Sequence, residues 1–397
     1  MPPFFGRILN ILDYALAYLA RNLGKNCSIF LLFTLVIFLF ASFQLMTGSL
    51  SRLAAEVLVA APDITVQQMS AGRQVPIAVT AKERVGKILG VSKVEERIWG
   101  YYFDEKNGAN YTVIGLPPGA LEGGDDGSRW PGGAEGRLLE PRDRGKAVVS
   151  RDIRQELGLG DRRHFSLFRP DLTMASFEAV GTFAEELDLL TADVILMTLA
   201  DARDLFAVEM GYVTDLLVGV ANPVEIDTVA GKIAAMLPGV RVITKKQIGK
   251  TYEVVFSWRS GLGAICLLTA LAAFAIFAWD RASGLSREEV REVGILKVLG
   301  WQTEDIILLR FCESGVISLL AFLTGYLLAW LHVAVFQGSV LRPILLGWSV
   351  LRPGGSLRPE FAFGDFLLVF AISVLPYLCA TAVPAWRAAV VRADSVI

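Results

Sequence analysis

The chain has 397 residues, of which 53% are hydrophobic, and its mean hydropathy is +0.49. Soluble domains are usually about 45–50% apolar, so the composition favours a membrane protein over a soluble one. The 38 Lys and Arg residues nearly balance the 40 Asp and Glu residues, and this near-neutral charge gives no reason to expect a nucleic-acid partner.

The first predicted element is an amphipathic helix. Apolar residues recur every three or four positions over residues 5–23, while Asp13 and Arg21 fall largely outside this stripe. A helix of this kind can lie in the membrane interface, so residues 1–26 are interpreted as a cytoplasmic interfacial helix. The alternative, a core helix of a soluble part, is disfavoured because little soluble sequence precedes the first long apolar run.

Four apolar runs reach the length of about 20 residues that crosses a bilayer. They lie at residues 27–46, 260–279, 306–336 and 363–383. The first is expected to be an uncleaved anchor, because it is too long for a signal peptide and no small-residue cleavage site follows it. In the third run, Arg310 and Glu313 are expected to pair at the cytoplasmic end. In the fourth, Pro376 should kink the helix and is a candidate hinge.

The distribution of Lys and Arg predicts the orientation. The flanks assigned to the cytoplasm carry Arg7, Arg21, Lys25, Arg281, Arg287, Arg291, Lys297, Arg387 and Arg392. Residues 47–259 and 337–362 are then extracytoplasmic, and residues 384–397 form a cytoplasmic tail. Three Leu-Arg-Pro repeats place arginines in the loop 337–362, against the rule. We interpret these repeats as chance composition, with contact to anionic headgroups or to the outer domain as the alternative.

Residues 47–259 are long enough for a domain with its own core. Short β-rich runs occur at residues 63–68, 111–115, 147–150, 177–181, 194–198 and 216–220, with helical patterns between them. A Gly-, Pro- and Asp-rich stretch at residues 117–136 interrupts the pattern and suggests two subdomains. The predicted fold class is therefore membrane α-helical, with four transmembrane helices, an N-terminal interfacial helix and a two-lobed α+β extracytoplasmic domain.

We find no nucleophile elbow, no His-Glu zinc motif and no Cys/His pair in the sequence. The carboxylates of Glu185, Glu186 and Asp188 are interpreted as a solvated turn, with acid/base chemistry as the weaker alternative. The basic run at residues 162–164, with Arg169 nearby, is interpreted as a polar surface hairpin, with attraction of an anionic partner as the alternative. The four cysteines lie in or beside apolar runs, which disfavours a disulfide framework.

Residues 280–305, between the second and third runs, are predicted to form a short cytoplasmic helix. Ser286 can cap this helix in a capping box with Glu289, and Gly300 can end it in a left-handed conformation. The expected apolar side consists of Val290, Val293, Ile295, Leu296, Val298 and Leu299, and the charged side of Arg287, Glu288, Arg291, Glu292 and Lys297. Such a helix suits docking into a groove of a soluble partner. Periodicity alone equally allows a helix that lies passively on the membrane.

A family resemblance rests on this segment. Residues 291–300 read REVGILKVLG and are followed by Asp305 and Ile306. This string closely resembles the signature of the MacB/FtsX-type ABC transporter permeases, in which a motif like REIGILKALG…DI follows the second span. The order of an interfacial helix, one span, a large outer domain and three spans is similar to that family across nearly the whole chain. Residues 193–199 (DVILMTL) look like a strand of the MacB and lipoprotein-releasing outer domains. Residues 384–389 (PAWRAA) resemble the family's ending without its usual downstream proline.

The resemblance implies the four-span branch of the family, located in the bacterial cytoplasmic (inner) membrane. The chain would be a non-catalytic permease subunit, with ATP and Mg bound by a separate ABC ATPase, since the sequence has no phosphate-binding loop. No cofactor is expected in this chain. The other expected partners are a second permease chain (identical or related), membrane lipid, and a periplasmic adaptor or carrier.

The resemblance also assigns the residues that couple to the ATPase. They are Arg287, Glu288, Arg291, Glu292, Gly294, Ile295, Leu296, Lys297 and Gly300. The implied function is mechanotransmission, in which ATP hydrolysis moves the outer domain for export or extraction of an amphiphilic, lipid-linked or peptide cargo. The alternative is an ABC-linked sensor or regulator of a periplasmic or cell-wall enzyme that transports nothing. A membrane-anchored hydrolase is disfavoured, because no catalytic or metal-binding residues are found.

Overall fold

The computed structural model describes residues 4–21, 23–117, 134–160, 162–184, 191–256, 261–282, 287–346 and 357–390. It divides into two compact units. The helical unit consists of Met1–Leu50, Phe256–Arg342 and Leu357–Ile397, and the α+β domain of Ser51–Val255 and Pro343–Ser356. The carboxylates Glu185, Glu186 and Asp188, the capping residue Ser286 and most of the Gly-rich stretch lie outside the described residues, so their interpretations stay predictions.

The elements are numbered in chain order. The described α-helices are α1 (Phe4–Arg21), α2 (Leu23–Ala60), α3 (Thr80–Gly86), α4 (Arg151–Glu156), α5 (Leu199–Leu205), α6 (Ile226–Met236), α7 (Lys245–Phe256), α8 (Gly261–Ala282), α9 (Arg287–Val298), α10 (Thr303–Ala334), α11 (Arg342–Leu346) and α12 (Phe363–Val390). The described strands are β1 (Ile64–Ser70), β2 (Arg73–Val75), β3 (Ile77–Ala78), β4 (Val91–Asp104), β5 (Ala109–Leu116), β6 (Ala134–Gly136), β7 (Lys146–Val149), β8 (His164–Phe168), β9 (Met174–Phe183), β10 (Val194–Thr198), β11 (Tyr212–Val213), β12 (Asp215–Val220) and β13 (Val240–Thr244).

Among the described residues, three helices are long and apolar enough to cross a membrane. They are Asn26–Ala55 in α2, Thr303–Ala334 in α10 and Phe363–Val383 in α12. The second predicted span falls in α8, whose described apolar part, Gly263–Ile276, is shorter than a bilayer-spanning helix. A membrane-protein architecture is thus supported, whereas the count of four spans stays a prediction.

Aromatic rings join the long helices of the helical unit. Phe33 of α2 lies 4.9 Å from Phe274 of α8 and 5.0 Å from Tyr377 of α12, measured between ring centroids. At Gly325, α10 approaches α2 so closely that a Cβ atom would lie 2.9 Å from Ile37 and from the Thr34 carbonyl. Small residues at helix interfaces allow this approach. These contacts place the core of the unit between α2, α8, α10 and α12.

His332 lies in the last turn of α10. Its ring is buried, and its Nε2 accepts a hydrogen bond from the Val340 N–H at 3.2 Å. The proton therefore resides on Nδ1, which lies 3.2 Å from the Ser42 hydroxyl. Within the described part of the chain, no three His, Cys, Asp or Glu residues are grouped as metal ligands would be.

The α+β domain is built on one 11-stranded sheet with the order β13-β1-β12-β4-β5-β10-β7-β9-β6, in which β2 also pairs with β1 and β8 with β9. A small second sheet pairs β3 with β11. Most pairs are antiparallel, and β5–β10 and β7–β9 are parallel. The strands on either side of the Gly-rich stretch meet where β5 pairs with β10, so the described strands of the two expected lobes belong to one sheet. This long-range pairing has no signature in local sequence.

A buried ion pair crosses the centre of this sheet. The side chain of Asp215 on β12 is fully buried and accepts hydrogen bonds from Arg97 Nε at 2.9 Å and Nη2 at 2.6 Å. The Trp99 indole N–H also donates to this carboxylate, at 3.0 Å. A buried carboxylate costs free energy unless it is paired and hydrogen-bonded, and these three donors meet that requirement.

Candidate functional site

Helix α9 ends at a glycine C-cap. Gly300 has a φ of +93°, its N–H bonds to the Lys297 carbonyl at 3.0 Å, and the Trp301 N–H bonds to the Leu296 carbonyl at 3.1 Å. This pattern is the Schellman motif, which requires a left-handed residue that glycine adopts at little cost. The predicted end of the helix at Gly300 is confirmed. The turn leads directly into α10, whose start is capped by Gln302.

One face of α9 is buried against α1 and the first turns of α10. Val293 and Leu296 are only 1% and 7% exposed. We call their surroundings the α1–α9–α10 cluster; it comprises Ile11, Ala15, Val293, Leu296, Ile306 and Leu309, with Tyr14, Trp301, Ile307, Leu308 and Cys312 packed against them. Burying a Val or Leu side chain contributes about 1.5–3 kcal/mol, so this face fixes the helix to its two neighbours.

The other apolar residues of α9 face outward. Ile295 is 52% exposed, Val298 67% and Leu299 71%, and the neighbouring Arg291 is also exposed. The expected single apolar side is therefore divided in two. Val293 and Leu296 lie three residues apart on the inner face, whereas Ile295, Val298 and Leu299 follow three- and four-residue spacing on the outer face. The sequence pattern alone did not show which apolar residues would find partners within the chain.

Two ion pairs hold α1 against this region. Arg7 contacts the Asp305 carboxylate, at 2.7 Å from Nε and 2.6 Å from Nη2, and Arg21 lies 3.4 Å from the Glu292 carboxylate. Asp305 also accepts the Gln302 backbone N–H at 3.0 Å, which closes a capping box on α10. Asp305, which follows the motif at residues 291–300, thus has two roles in the structure: it caps α10 and binds Arg7 of α1.

A third contact with α1 involves the polar pair in α10. Arg310 Nη1 lies 2.8 Å from a carboxylate oxygen of Glu313, so the expected pair forms. The Arg310 guanidinium also lies 5.5 Å from the ring centroid of Tyr18, within the range of a cation–π interaction. Burial raises the pKa of Tyr18, which therefore stays protonated at neutral pH. The ring of Tyr14 lies 5.3 Å from that of Trp301, in the turn after α9, at an interplanar angle of 55°.

The predicted coupling residues occupy different environments in this arrangement. Arg291 and Ile295 are exposed, Glu292 and Lys297 are half-buried, Gly294 and Leu296 are buried, and Gly300 ends the helix. The backbone of Arg287 and Glu288 belongs to α9, but their side chains lie outside the described residues. Pro376 lies half-buried within the uninterrupted helix α12, so its role as a hinge stays a prediction.

Sequence reasoning missed the contribution of α1. Arg7 served only to predict the orientation, and Tyr14, Tyr18 and Trp301 had no assigned role, although all four hold the region together. Arg7 and Asp305 are 298 residues apart, and a pair so distant leaves no local periodicity to detect.

The basic run predicted at residues 162–164 lies in the α+β domain. Residues 162–164 are exposed and lead into β8, which pairs with β9 as a hairpin. Arg169 in the hairpin turn lies 2.6 Å from the Asp204 carboxylate of α5. The expected surface hairpin is therefore present, and Arg169 is paired within the domain.

Comparisons with known proteins agree on the segment that contains α9. The family described as the FtsX-like permease C-terminal domain matches residues 262–390. An uncharacterised ABC transporter permease protein of Mycobacterium tuberculosis is 27% identical over 128 residues, which cover 31% of this chain and 14% of that protein. The chain thus matches only a small part of that relative's length.

Two solved structures are similar to about half of this chain. The periplasmic region of MacB from Actinobacillus actinomycetemcomitans has a TM-score of 0.35 and 8% identity, over 48% of this chain and 92% of that one. The extracellular domain of the ABC-type transporter YknZ from Gram-positive bacteria has a TM-score of 0.32 and 11% identity, over 46% and 99%.

Proposed function

We propose that this chain, as a permease of the MacB/FtsX type with an FtsX-like C-terminal domain at residues 262–390, transmits ATP-driven movement from a separate ABC ATPase to its α+β domain. In this proposal α9 is the docking helix. The cargo moved or extracted is amphiphilic, lipid-linked or a peptide. ATP and Mg bind to the partner ATPase.

The exposed apolar surface of α9 is the main support for this proposal. Ile295, Val298 and Leu299 lie on a short charged helix that is anchored on its opposite face. Exposed apolar clusters on otherwise polar elements commonly mark interaction sites, and amphipathic helices dock into grooves through residues spaced in this way. Charged residues beside them, such as Arg291, suit the polar rim of an interface.

The anchoring of α9 supports its role in transmission. A load on α9 reaches α1 through Leu296 and the Arg21–Glu292 pair, and reaches α10 through Val293 and the short turn at Gly300. Packed helices joined by such contacts move as units or by small sliding steps. We therefore propose that α1, α9 and the start of α10 move together when the ATPase closes.

The topology and assembly belong to the same proposal. We infer that α2, α8, α10 and α12 cross the bacterial inner membrane, with α9 on the cytoplasmic side and the α+β domain outside. Two permease chains, identical or related, would bind two ATPase chains. A periplasmic adaptor or carrier would receive the cargo.

The test uses an exposed leucine of α9 and a matched control. The full chain would be co-expressed with the ABC ATPases of its own genome and purified through a tag on the permease. Leu299→Glu places a carboxylate on the docking surface, whereas Leu89→Glu makes the same change at an exposed site, 86% exposed, in the α+β domain.

We expect an ATPase to co-purify with wild type and with Leu89→Glu, and to be lost or uncoupled in Leu299→Glu. A wild-type chain that retains no ATPase would refute the proposed partner. Equal retention by both variants would refute docking through α9 and favour a helix that rests on the membrane.

A further inference from the structure

A cationic cavity lies in the α+β domain, at the β6–β9 end of the sheet. Its volume is about 920 Å³, and it is bounded by β6, β7, β9, α4 and the residues before β8. The cations that line it are Arg137, Lys146, Arg151, Arg154 and Arg163. Two carboxylates, Glu135 and Glu178, also line it, so positive charge prevails among the described side chains. Cavities of this size commonly hold small molecules.

Two of these cations, Arg137 and Lys146, bind the same carboxylate, that of Asp143. Asp143 accepts hydrogen bonds from Arg137 Nη1 at 2.6 Å and Nη2 at 3.0 Å, from Lys146 Nζ at 2.8 Å and from the Glu140 N–H at 2.9 Å. The side chain of Asp143 is only 5% exposed. The hydrogen bonds from Arg137 have the largest effect, and together these donors hold the pKa of Asp143 well below its usual range. The carboxylate therefore stays ionised and keeps Arg137 and Lys146 in place.

Two further cations of the cavity are Arg154 and Arg163. Arg154 is held by neutral acceptors, the Gly160 carbonyl at 3.3 Å and the Thr182 hydroxyl at 3.4 Å. Arg163 is exposed. Neither forms a salt bridge with another residue in the part of the chain that the structure describes. Arg151, in contrast, pairs with Glu135.

The backbone that lines the cavity has two irregularities: a β-bulge on β9 and a positive φ at Gly136. The register between β7 and β9 shifts by one residue. Ala147 is opposite Ala179 and Val148 is opposite Gly181, so Val180 is the bulged residue of β9. Gly136 has a φ of +95°, and a Cβ atom there would lie 2.7 Å from the Val180 carbonyl oxygen. Bulges re-aim side chains and occur often beside functional sites. Here the bulge lies between Ala179 and Gly181, which both line the cavity.

We propose that this cavity binds a phosphate monoester dianion. Planar guanidinium groups match phosphate in bidentate geometry, and Arg154 and Arg163 retain donors for it. Lys146 and Arg137 supply fixed positive charge beside them. The same monoester occurs in a free phosphorylated solute and in the headgroup of phosphatidic acid. The proposal is independent of docking through α9.

The test measures binding of glycerol 3-phosphate to the full chain in nanodiscs of phosphatidylcholine, by calorimetry. Arg154→Gln/Arg163→Gln should weaken binding at least tenfold. The matched control, Arg73→Gln/Arg241→Gln, removes the same charge from β2 and β13 at the opposite end of the sheet and should change affinity less than twofold. Arg154→Lys retains charge and should recover part of the affinity.

If the double variant does not fold, Arg163→Gln alone tests the proposal, because its exposed side chain can be replaced without loss of packing. It should weaken binding at least threefold. Soluble dihexanoyl phosphatidic acid then distinguishes the sources: binding at least tenfold tighter than glycerol 3-phosphate identifies a lipid headgroup, and similar or weaker binding identifies a free solute. No binding by wild type, or equal losses in the test and control variants, would overturn the proposal.

Discussion

Exchanging the charges of Arg21 and Glu292 tests whether Glu292 acts through its contact with α1 or by docking directly to the partner. The two groups lie 3.4 Å apart, and their side chains are 64% and 37% exposed. Exposed pairs of this kind contribute about 0.2–1 kcal/mol. Glu292→Arg removes that attraction and adds a repulsion of similar size, for a total cost of about 1 kcal/mol.

This cost is small beside the roughly 5–15 kcal/mol that stabilises a folded protein, so Glu292→Arg should fold. We expect it to reduce permease-stimulated ATP hydrolysis about fivefold, which corresponds to about 1 kcal/mol. The assay is ATPase activity of the purified complex in nanodiscs. Arg21→Glu/Glu292→Arg should restore activity to within twofold of wild type, and Glu105→Arg, at an exposed turn of the α+β domain, should have no effect. If the double exchange is as impaired as the single one, Glu292 acts on the partner directly and the reasoning from α1 is refuted.

Three further predictions concern backbone and charge. Gly300→Ala forces a left-handed alanine at a cost of about 1 kcal/mol. It should accelerate amide exchange at the end of α9 about fivefold, whereas Gly231→Ala, in open space on α6, should not accelerate exchange there. Gly325→Ala should lower the unfolding temperature, because its Cβ would lie 2.9 Å from Ile37, whereas Gly315→Ala, with its nearest atom at 3.9 Å, should not; equal effects would contradict the close approach of α2 and α10. Asp143→Asn should destabilise the protein at pH 7. Because the folded-state pKa of Asp143 is lowered, its contribution is fully present above the unfolded pKa of about 3.9 and is lost as pH falls below it. The difference in unfolding temperature between Asp143→Asn and wild type should therefore shrink below about pH 4, and a constant difference down to pH 3 would contradict this.

Local patterns in the sequence identified the elements of the helical unit. The stripe in residues 5–23, the long apolar runs and Gly300 predicted helices that the structure contains, because amphipathicity, hydropathy and left-handed glycines depend on neighbouring residues. The motif at residues 291–300 was sufficient to indicate the permease type, since the FtsX-like match covers the same segment.

Tertiary structure decided how those elements are used. Whether an apolar residue of α9 is buried depends on α1, nearly 300 residues away in sequence. Leu296 packs against α1, whereas Leu299 is 71% exposed in the part of the chain that the structure describes. The cationic cavity likewise depends on strand pairing, since β6, β7 and β9 bring together arginines from separate segments. The sequence by itself determined the helical segments and their charge, and it indicated a resemblance that the FtsX-like match to residues 262–390 supports. Only long-range packing determined which charges are paired and which surfaces stay open, because those depend on contacts between residues far apart in the chain.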